Sequence, residues 1–443
     1  MEPTLKLTPA EKYLVKPLHS FISKSTTGGI VLFVAALIAI FFANSPWAEQ
    51  YEHFWHYPIG ISVGAYSLNM TLHHWINDGL MAVFFFVVGL ELKRELTNGE
   101  LASPKKAMLP IIAAIGGMIF PALIYTFFNG GTDAAHGWGI PMATDIAFAL
   151  GVMYLLGNKV PLSLKIFLTA LAIVDDLGAV LVIALFYTSD LNLVFLSIGL
   201  ALFTFLLVCN RLGFKNPVFY AVIGIAGVWL CFLLSGVHAT IAAVLVAFAI
   251  PSTAKVNESY FSFRMDQLKQ KFFNIDPQDK RKNLTEEQVS IIEEMNELSN
   301  DALPVSHRLE HGMHSLVNFV VMPIFALCNA AIPIDLSGDM SMVTLGVALG
   351  LLVGKVIGVF GLIAILIKLR LFPKPEGMTY ANLLGVGFLA SIGFTMSLFV
   401  TELAFDVNKH PEFPPQAKFG IIIASLIGGI LGYFILTYCK KKS

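Results

Sequence analysis

Charged side chains are scarce in this sequence of 443 residues. Asp, Glu, Lys and Arg make up 13% of the chain, whereas roughly a quarter of the residues of a soluble protein are charged. Hydrophobic residues make up 56%, and the formal net charge is −1, which indicates no basic surface for nucleic acid. Apolar runs of about 20 residues recur and match the ~30 Å hydrocarbon layer of a bilayer. The composition predicts a polytopic membrane protein whose first partner is lipid.

Several sequence features that would indicate an enzyme or a bound cofactor are missing, and cysteine is scarce. The four cysteines (Cys209, Cys231, Cys328 and Cys439) lie in or beside apolar runs, with neither metal-ligand spacing nor a disulfide framework. The Gly-x-Gly-Asp motif of intramembrane aspartyl proteases is missing. No strand precedes the glycines at 385–397, so they form no phosphate loop. We therefore expect neither an enzyme nor a bound cofactor.

The apolar runs predict twelve transmembrane helices in an all-α fold. Residues 1–27 are expected to form a cytoplasmic segment and not a cleaved signal, 252–302 a cytoplasmic loop and 439–443 a cytoplasmic tail. Spans one to eight lie within 28–251 and spans nine to twelve within 303–438. The predicted limits are 28–44, 75–92, 107–128, 139–157, 166–187, 191–210, 217–234, 236–251, 310–332, 342–367, 379–401 and 417–438.

The distribution of basic residues provides an independent test of this topology. Cytoplasmic segments of membrane proteins carry excess Lys and Arg. Both termini and the even-numbered connections hold 26 of the 29 Lys and Arg residues. Only Lys409 and Lys418 fall on the other side, and Lys355 lies within a span. The pattern places both termini in the cytoplasm.

Two connections have a predicted structure of their own. Residues 58–70 alternate apolar with small or polar side chains around Gly64, which is typical of a β-hairpin on the outer side. In the cytoplasmic loop, 285–298 is predicted to be helical, with Glu286 and Glu287 near its start. A solvated linker helix is the simpler interpretation, and a regulatory element is the alternative.

Two adjacent acidic residues, Asp175 and Asp176, lie in the middle of span five with apolar turns on both sides. A charge at that depth is costly and therefore indicates function. Burial and a neighbouring carboxylate both disfavour ionisation, so that a proton or a small hard cation would neutralise the pair. If the loaded site opens to each side in turn, this competition exchanges a cation for protons.

Two further charges and one hydroxyl are predicted near this pair. Lys355, in span ten, needs a carboxylate partner or must lose its proton. Gly139 and Pro141 suggest that span four is broken, which would place Asp145 near helix ends and let Thr144 offer an oxygen ligand. Span eleven has a matching glycine-rich interruption at 385–397. Corresponding breaks suggest inverted repeats of spans three to five and ten to twelve, an established feature of the family named below.

Polar residues at the predicted membrane edges are weaker candidates. Each can be read either as a funnel or pH-sensing residue, because histidine titrates near neutrality, or as a structural or interfacial group. Those at the outer side are Asp78 and His238. Those at the cytoplasmic side are Glu91, Arg94, Glu95, Arg308, Glu310, His311 and His314.

Several motifs in order resemble the NhaA family of bacterial sodium/proton antiporters from about Gly28 to Leu436, except in the long loop after span eight. These motifs are 87–95 (VVGLELKRE), 113–117 (AAIGG), 143–151 (ATDIAFALG), 175–179 (DDLGA), 235–240 (SGVHAT), 308–311 (RLEH) and 393–397 (GFTMS).

The resemblance implies an electrogenic, pH-regulated exchanger of the inner membrane with crossed, interrupted fourth and eleventh helices. Asp175 and Asp176 would bind Na⁺ or Li⁺ in competition with protons, and Asp145 and Lys355 would balance charge, with Lys355 paired to Asp175. The membrane-edge residues Glu91, Arg94, Glu95, Glu310, His311, His314 and His238 would regulate by pH. The outer hairpin would join two copies into a homodimer.

Three departures from the family are visible in the sequence. Val356 follows Lys355 where the family commonly has proline, His307 precedes Arg308 where some members have lysine, and the 251–302 loop is unusually long.

Two other functions remain open, because a cation channel or a solute/cation symporter could use a similar scaffold. Broken helices and balanced charges favour alternating access over a channel, and the missing large polar pocket argues against a symporter.

Overall fold

The computed structural model describes residues 25–63, 66–188, 191–275, 283–333, 340–372, 378–407 and 409–438. The predicted cytoplasmic tail lies outside these ranges, as does nearly all of the predicted N-terminal segment. Within them the chain is an all-α polytopic membrane protein, as predicted. Nine described helices are long and apolar enough to cross a membrane, and eleven if each of two bent pairs counts as one span. The short apolar helix Ala239–Ala249 occupies the remaining predicted position.

The observed helices follow the predicted order. Spans one to six are Ser25–Ala43, Leu72–Asn98, Pro104–Asn129, Asp133–Leu155, Leu162–Phe186 and Leu193–Arg211. Spans seven to twelve are Pro217–Ser235, Ala239–Ala249, Val305–Asn329, Met342–Lys368, the pair Tyr380–Ala390 and Phe394–Ala404, and Phe413–Tyr438.

Local sequence explains where several of these helices begin. Asn192, Asn216, Ser341 and Thr379 lie at helix starts, where each side-chain oxygen accepts a hydrogen bond from a backbone N–H in the first turn. These are the residue types that cap helix N-termini. Capping satisfies N–H groups that have no partner within the helix and that would be costly to leave unpaired near lipid.

The segment predicted to form a hairpin contains two antiparallel strands, β1 (Pro58–Val63) and β2 (Tyr66–Thr71). Their register pairs Pro58 with Thr71 and Val63 with Tyr66. A short helix, Ala48–Trp55, precedes the hairpin and turns 119° away from span one. Its contact with the end of span nine is a hydrogen bond from the Tyr51 hydroxyl to the Leu327 carbonyl, 2.5 Å long. The hairpin is thus fixed beside the bundle.

The long loop between spans eight and nine holds two helices, Glu258–Ile275 and Glu286–Ala302, of which only the second was predicted. The second starts with a capping box formed by Thr285 and Gln288. The two helices pack together, and Arg264 of the first pairs with Glu294 of the second at 2.5 Å. The first helix was missed because the long polar loop suggested a single linker helix.

Spans four and eleven are both interrupted, as predicted. In span four a 3₁₀ helix, Asp133–Met142, ends in extended residues at 143–145 before the α-helix Ile146–Leu155 begins. In span eleven the break at 391–393 separates two helices that meet at 43°. The breaks touch each other, since the Asp145 N–H donates to the Ile392 carbonyl at 2.6 Å. Unwound backbone is tolerated at this depth because it is buried within protein.

Close backbone contact brings span ten against span three. A Cβ added to Gly116 would lie 2.3 Å from the carbonyl oxygen of Gly358, and one added to Gly358 would lie 2.1 Å from that of Gly116. Any larger residue at either site would force the helices apart. Small residues at such crossings are typical of membrane helix packing. The contact places Lys355, one turn before Gly358, in the interior of the bundle.

Candidate ion-binding site

The aspartate pair of span five is buried completely within the bundle. Asp175 and Asp176 expose 1% and 0% of their surfaces. Adjacent helix positions point about 100° apart, so the two carboxylates face different neighbours. Both carboxylate oxygens of Asp176, and Oδ1 of Asp175, lack a hydrogen-bond partner among the residues that the structure describes. A buried polar atom without a partner is costly and rare, so these three oxygens are suited to a proton or a cation.

Asp175 is held through its other oxygen, Oδ2. The Lys355 ammonium forms a buried ion pair with this atom. The Thr144 hydroxyl lies 2.6 Å from the same atom and 2.8 Å from the carbonyl oxygen of Ala390. Thr144 therefore connects the broken span four to the aspartate pair and to the first half of span eleven. The ion pair between Lys355 and Asp175 is the one that the resemblance implied.

Lys355 lies between two π-helical turns, Gly350–Gly354 and Val356–Gly361. The Val356 position, where the family commonly has proline, therefore continues the helix as the first residue of a π-helical turn. π-Helical turns are uncommon and are frequent at functional sites. The Lys355 ammonium is also close to the backbone of span three, 3.6 Å from where a Cβ on Gly117 would lie. The glycine leaves the space that the lysine head group occupies.

Asp145 binds the start of two half-helices at once. Its Oδ1 accepts from the Phe148 N–H at 3.0 Å, which caps the second half of span four. Its Oδ2 accepts from the N–H of Thr395 at 3.0 Å and from that residue's hydroxyl. A carboxylate offsets the partial positive charge of a helix N-terminus. Asp145 thus joins the first turns of both half-helices, and Thr395 is its partner across the break.

Thr395 was not among the predicted site residues. It lies in the 393–397 motif that carried the resemblance, directly after the glycine at the break. Its contact with Asp145 spans 250 residues. Only the crossing of the two breaks makes the contact, so no local pattern in the sequence could show it.

The predicted pH-sensing residues separate into two groups in the structure. Arg94 of span two forms an ion pair with Glu310 of span nine and contacts Glu95 at 3.1 Å. His314 lies 3.6 Å from Glu91 on the same two spans. These contacts form a cluster, here called the two–nine cluster, of Glu91, Arg94, Glu95, Glu310 and His314.

The other predicted residues lie outside the two–nine cluster. Arg308 donates to the Asn300 carbonyl at 3.1 Å, which ties the loop helices to span nine. His311 is exposed and stacks on His307 with ring centres 5.2 Å apart. His238 precedes span eight, whose far end contacts Lys93, so it lies at the opposite end of the bundle.

Asp78 and His238 share that opposite end. The Asp78 carbonyl oxygen accepts from the Trp229 indole at 3.2 Å, and His238 lies 2.9 Å from the carbonyl oxygen of Tyr187. Asp78 is partly buried in the π-helical start of span two. These contacts place both residues near the ends of spans five and seven, away from the two–nine cluster.

The chain resembles known transporters over nearly its whole length. Residues 19–436 match the family described as Na⁺/H⁺ antiporter 1. The protein named Na⁺/H⁺ antiporter NhaA of Wolinella succinogenes is 46% identical over 428 residues, covering 96% of this chain and 94% of that protein. Na⁺/H⁺ antiporter NhaA of Helicobacter pylori is 43% identical over 441 residues, covering 99% of both chains. The chain therefore belongs to the Na⁺/H⁺ antiporter 1 family, whose members are transporters and not enzymes.

Proposed function

We propose that this protein exchanges Na⁺ or Li⁺ for protons across the bacterial inner membrane by alternating access. The observation that carries the proposal is the set of three buried carboxylate oxygens without hydrogen-bond partners on Asp175 and Asp176. Oxygen ligands suit hard cations. A proton on the same oxygens would also neutralise the pair, so cation and proton exclude each other and are exchanged.

The direct test uses everted membrane vesicles that carry the protein and a dye that reports the pH gradient. Addition of Na⁺ or Li⁺ to respiring vesicles should release protons and collapse the gradient, while K⁺ should not. Vesicles without the protein are the control. A response to K⁺ equal to that for Na⁺ would favour a cation channel. A response that needs an organic solute would favour a symporter.

In this proposal Lys355 compensates the charge of Asp175 and also couples ion binding to charge movement. While Asp175 is ionised, the two charges compensate each other in the buried pair, which carries a large penalty for losing either partner. A cation bound at the free oxygens would compete with Lys355 for the carboxylate. Lys355 would then lose its proton or its partner, which couples ion binding to charge movement and supports an electrogenic exchange.

The two–nine cluster supports regulation by cytoplasmic pH. A protonated His314 attracts Glu91 and holds span nine against span two, and this attraction disappears as the histidine loses its proton at higher pH. We expect His314→Asn to shift the pH dependence of exchange to lower pH, because the asparagine cannot carry the charge that holds the spans together.

The measurement is the initial rate of Na⁺-driven proton release between pH 6 and pH 9. His53→Asn is the matched control, since His53 is an exposed histidine of the short helix Ala48–Trp55, at the hairpin end of the chain and away from this cluster. An unchanged profile in His314→Asn, or an equal shift in the control, would contradict the assignment of His314.

The distribution of basic residues supports an orientation with both termini in the cytoplasm and the hairpin outside. A lone two-stranded hairpin is marginally stable and leaves backbone groups unpaired at its edges. Pairing with the hairpin of a second copy would satisfy such groups. We therefore propose a homodimer joined through β1 and β2.

Two cysteine variants test the orientation, and one of them also tests the dimer. In a cysteine-free background, Asn69→Cys should react with an impermeant maleimide in whole cells, while Lys215→Cys should react only in everted vesicles. The Asn69→Cys protein should also form an intermolecular crosslink with a short bifunctional reagent. Labelling with the opposite sidedness would overturn the orientation, and a lack of crosslinking would count against this dimer interface.

A further inference from the structure

A second, partly buried charge cluster lies at the hairpin end of the bundle, away from the aspartate pair. Glu402 of span eleven pairs with Lys418 of span twelve at 2.7 Å through Oε1, and its Oε2 lies 3.5 Å from Nε2 of His73 in span two. The exposed side-chain fractions of Glu402, Lys418 and His73 are 10%, 13% and 19%. Three spans therefore meet on one carboxylate.

Glu402 lies on the half-helix that the ion site depends on. That half-helix, Phe394–Ala404, is held at its start by Thr395 and Asp145, at the crossing of the two breaks. Glu402 follows Thr395 by seven residues, about two turns. The half-helix is thus fixed at one end by the crossing and at the other by the Glu402 pairs. A change in the second attachment would alter how freely the helix moves relative to the site.

His73 lies between two partners, Asn77 and Glu402, and its protonation state changes the strength of both contacts. The Asn77 amide nitrogen lies 3.2 Å from the His73 ring nitrogens. The orientation of this amide follows from Asn329, whose amide nitrogen donates to Asn77 Oδ1 at 2.9 Å. Asn77 can therefore only donate to His73, which requires an unprotonated ring nitrogen. A neutral ring can accept from Asn77 at Nδ1 and donate its Nε2–H to Glu402. A protonated ring loses the contact with Asn77 and adds a positive charge to its contact with Glu402, which strengthens that contact.

Other charged or titratable groups also face His73. The His56 ring stacks on it with centres 5.7 Å apart, and the His74 ring lies edge-on at 6.0 Å. The charged side chains that face His73 are Glu402 of span eleven and, on the other side of that carboxylate, Lys418 of span twelve. Lys418 and His73 contact different oxygens of Glu402, so the carboxylate can hold both cations at once.

We propose that Glu402 is a positioning residue for the second half of span eleven, and that His73 makes its hold depend on pH at the hairpin side. At low pH on that side, protonated His73 joins Lys418 on Glu402 and ties span eleven to span two. As the pH rises, His73 loses its charge and accepts from Asn77 again, its contact with Glu402 weakens, and Lys418 becomes the main partner of Glu402. The inference rests on the proposed exchange at Asp175 and Asp176, although the attachment itself can be measured without transport.

The first test measures backbone hydrogen exchange in the purified protein, which does not require transport. In the wild type, exchange in peptides covering 394–404 should be slower at pH 4 than at pH 8 by up to about fivefold, after correction for intrinsic rates, as expected for one partly exposed ion pair. This difference should vanish in His73→Asn and in His73→Gln. Persistence of the wild-type difference in both variants would overturn the proposal.

The second test measures ²²Na⁺ flux in proteoliposomes while the pH is set separately on each face. The face that carries the hairpin is identified by the Asn69→Cys label. The ratio of wild-type to His73→Asn rates should change by about fivefold with pH on the hairpin face and should not change with pH on the other face. His410→Asn is the matched control, because it removes a different His–Glu pair from the same end of the bundle. A ratio that is independent of pH on the hairpin face would overturn the role of His73.

Removing both charges of the Glu402–Lys418 pair separates positioning from simple folding. Glu402→Gln leaves Lys418 buried without its carboxylate and can reduce folding yield, so it is compared with Glu402→Asp and with Glu402→Gln/Lys418→Met. Glu402→Asp should retain the pH-dependent hydrogen exchange, and the double variant should fold but lose it. A double variant that keeps the wild-type pH dependence would contradict a role for Glu402. Loss of transport in Asp176→Asn with intact pH-dependent hydrogen exchange would show that this attachment is independent of the ion site.

Discussion

Asp176→Asn is expected to abolish Na⁺-driven proton release, down to the background of vesicles without the protein. Both carboxylate oxygens of Asp176 are buried and have no hydrogen-bond partner within the described residues. An asparagine keeps the shape but removes the negative charge that a cation or proton would neutralise. The variant can therefore neither bind Na⁺ by charge nor exchange it for a proton.

The measurement is the dye response of everted vesicles at equal protein expression. Asp133→Asn is the matched control, because Asp133 is an exposed aspartate at the start of span four and should leave exchange unchanged. The loss should also not come from unfolding, since the substitution removes a buried charge and leaves the Lys355–Asp175 pair intact. Exchange above background in Asp176→Asn would remove this residue from the ion site.

Of the substitutions at the ion site, Lys355→Met is expected to cause the largest decrease in the free energy of unfolding. The lysine is fully buried, and its partner Asp175 would keep an uncompensated charge. Removing one member of a buried ion pair costs about 3–5 kcal/mol. The loss should shrink at low pH, where a proton can neutralise Asp175, and grow at high pH, where it cannot.

The stability of the detergent-purified variant can be followed by thermal unfolding at pH 5.5 and pH 8.5. Asp175→Asn/Lys355→Met removes both charges and should recover most of the stability, although not the exchange activity. Lys409→Met is the control, because its pair with Asp406 at 3.6 Å is exposed. If the double variant is as unstable as Lys355→Met, the stabilising role of Lys355 is not electrostatic.

Much of the fold could be predicted because the bilayer imposes simple rules. Apolar runs of the right length and the alternation of basic residues together specify twelve spans and their order. The breaks in spans four and eleven were visible as glycine and proline in otherwise apolar runs. Asp175, Asp176, Asp145 and Lys355 could be identified because a charge within a span is rare.

The contacts between these residues could not be predicted from local sequence. Asp145 and Thr395 meet only because two unwound segments cross, and Thr144 reaches Ala390 for the same reason. Glu402 was missed although it had a signal. The three basic residues outside the cytoplasmic pattern, Lys355, Lys409 and Lys418, each pair with a carboxylate in the structure. A basic residue that lies outside the cytoplasmic pattern therefore indicates an acidic partner nearby in the fold.

Proton release on Na⁺ binding tests the central claim of competition at the aspartate pair most directly. The purified protein in weakly buffered detergent solution at fixed pH receives Na⁺, and the released protons are counted with a pH indicator. We predict that Na⁺ and Li⁺ release protons from the wild type, that K⁺ does not, and that Asp176→Asn releases none with any of them. Saturable Na⁺ binding without proton release would contradict the account.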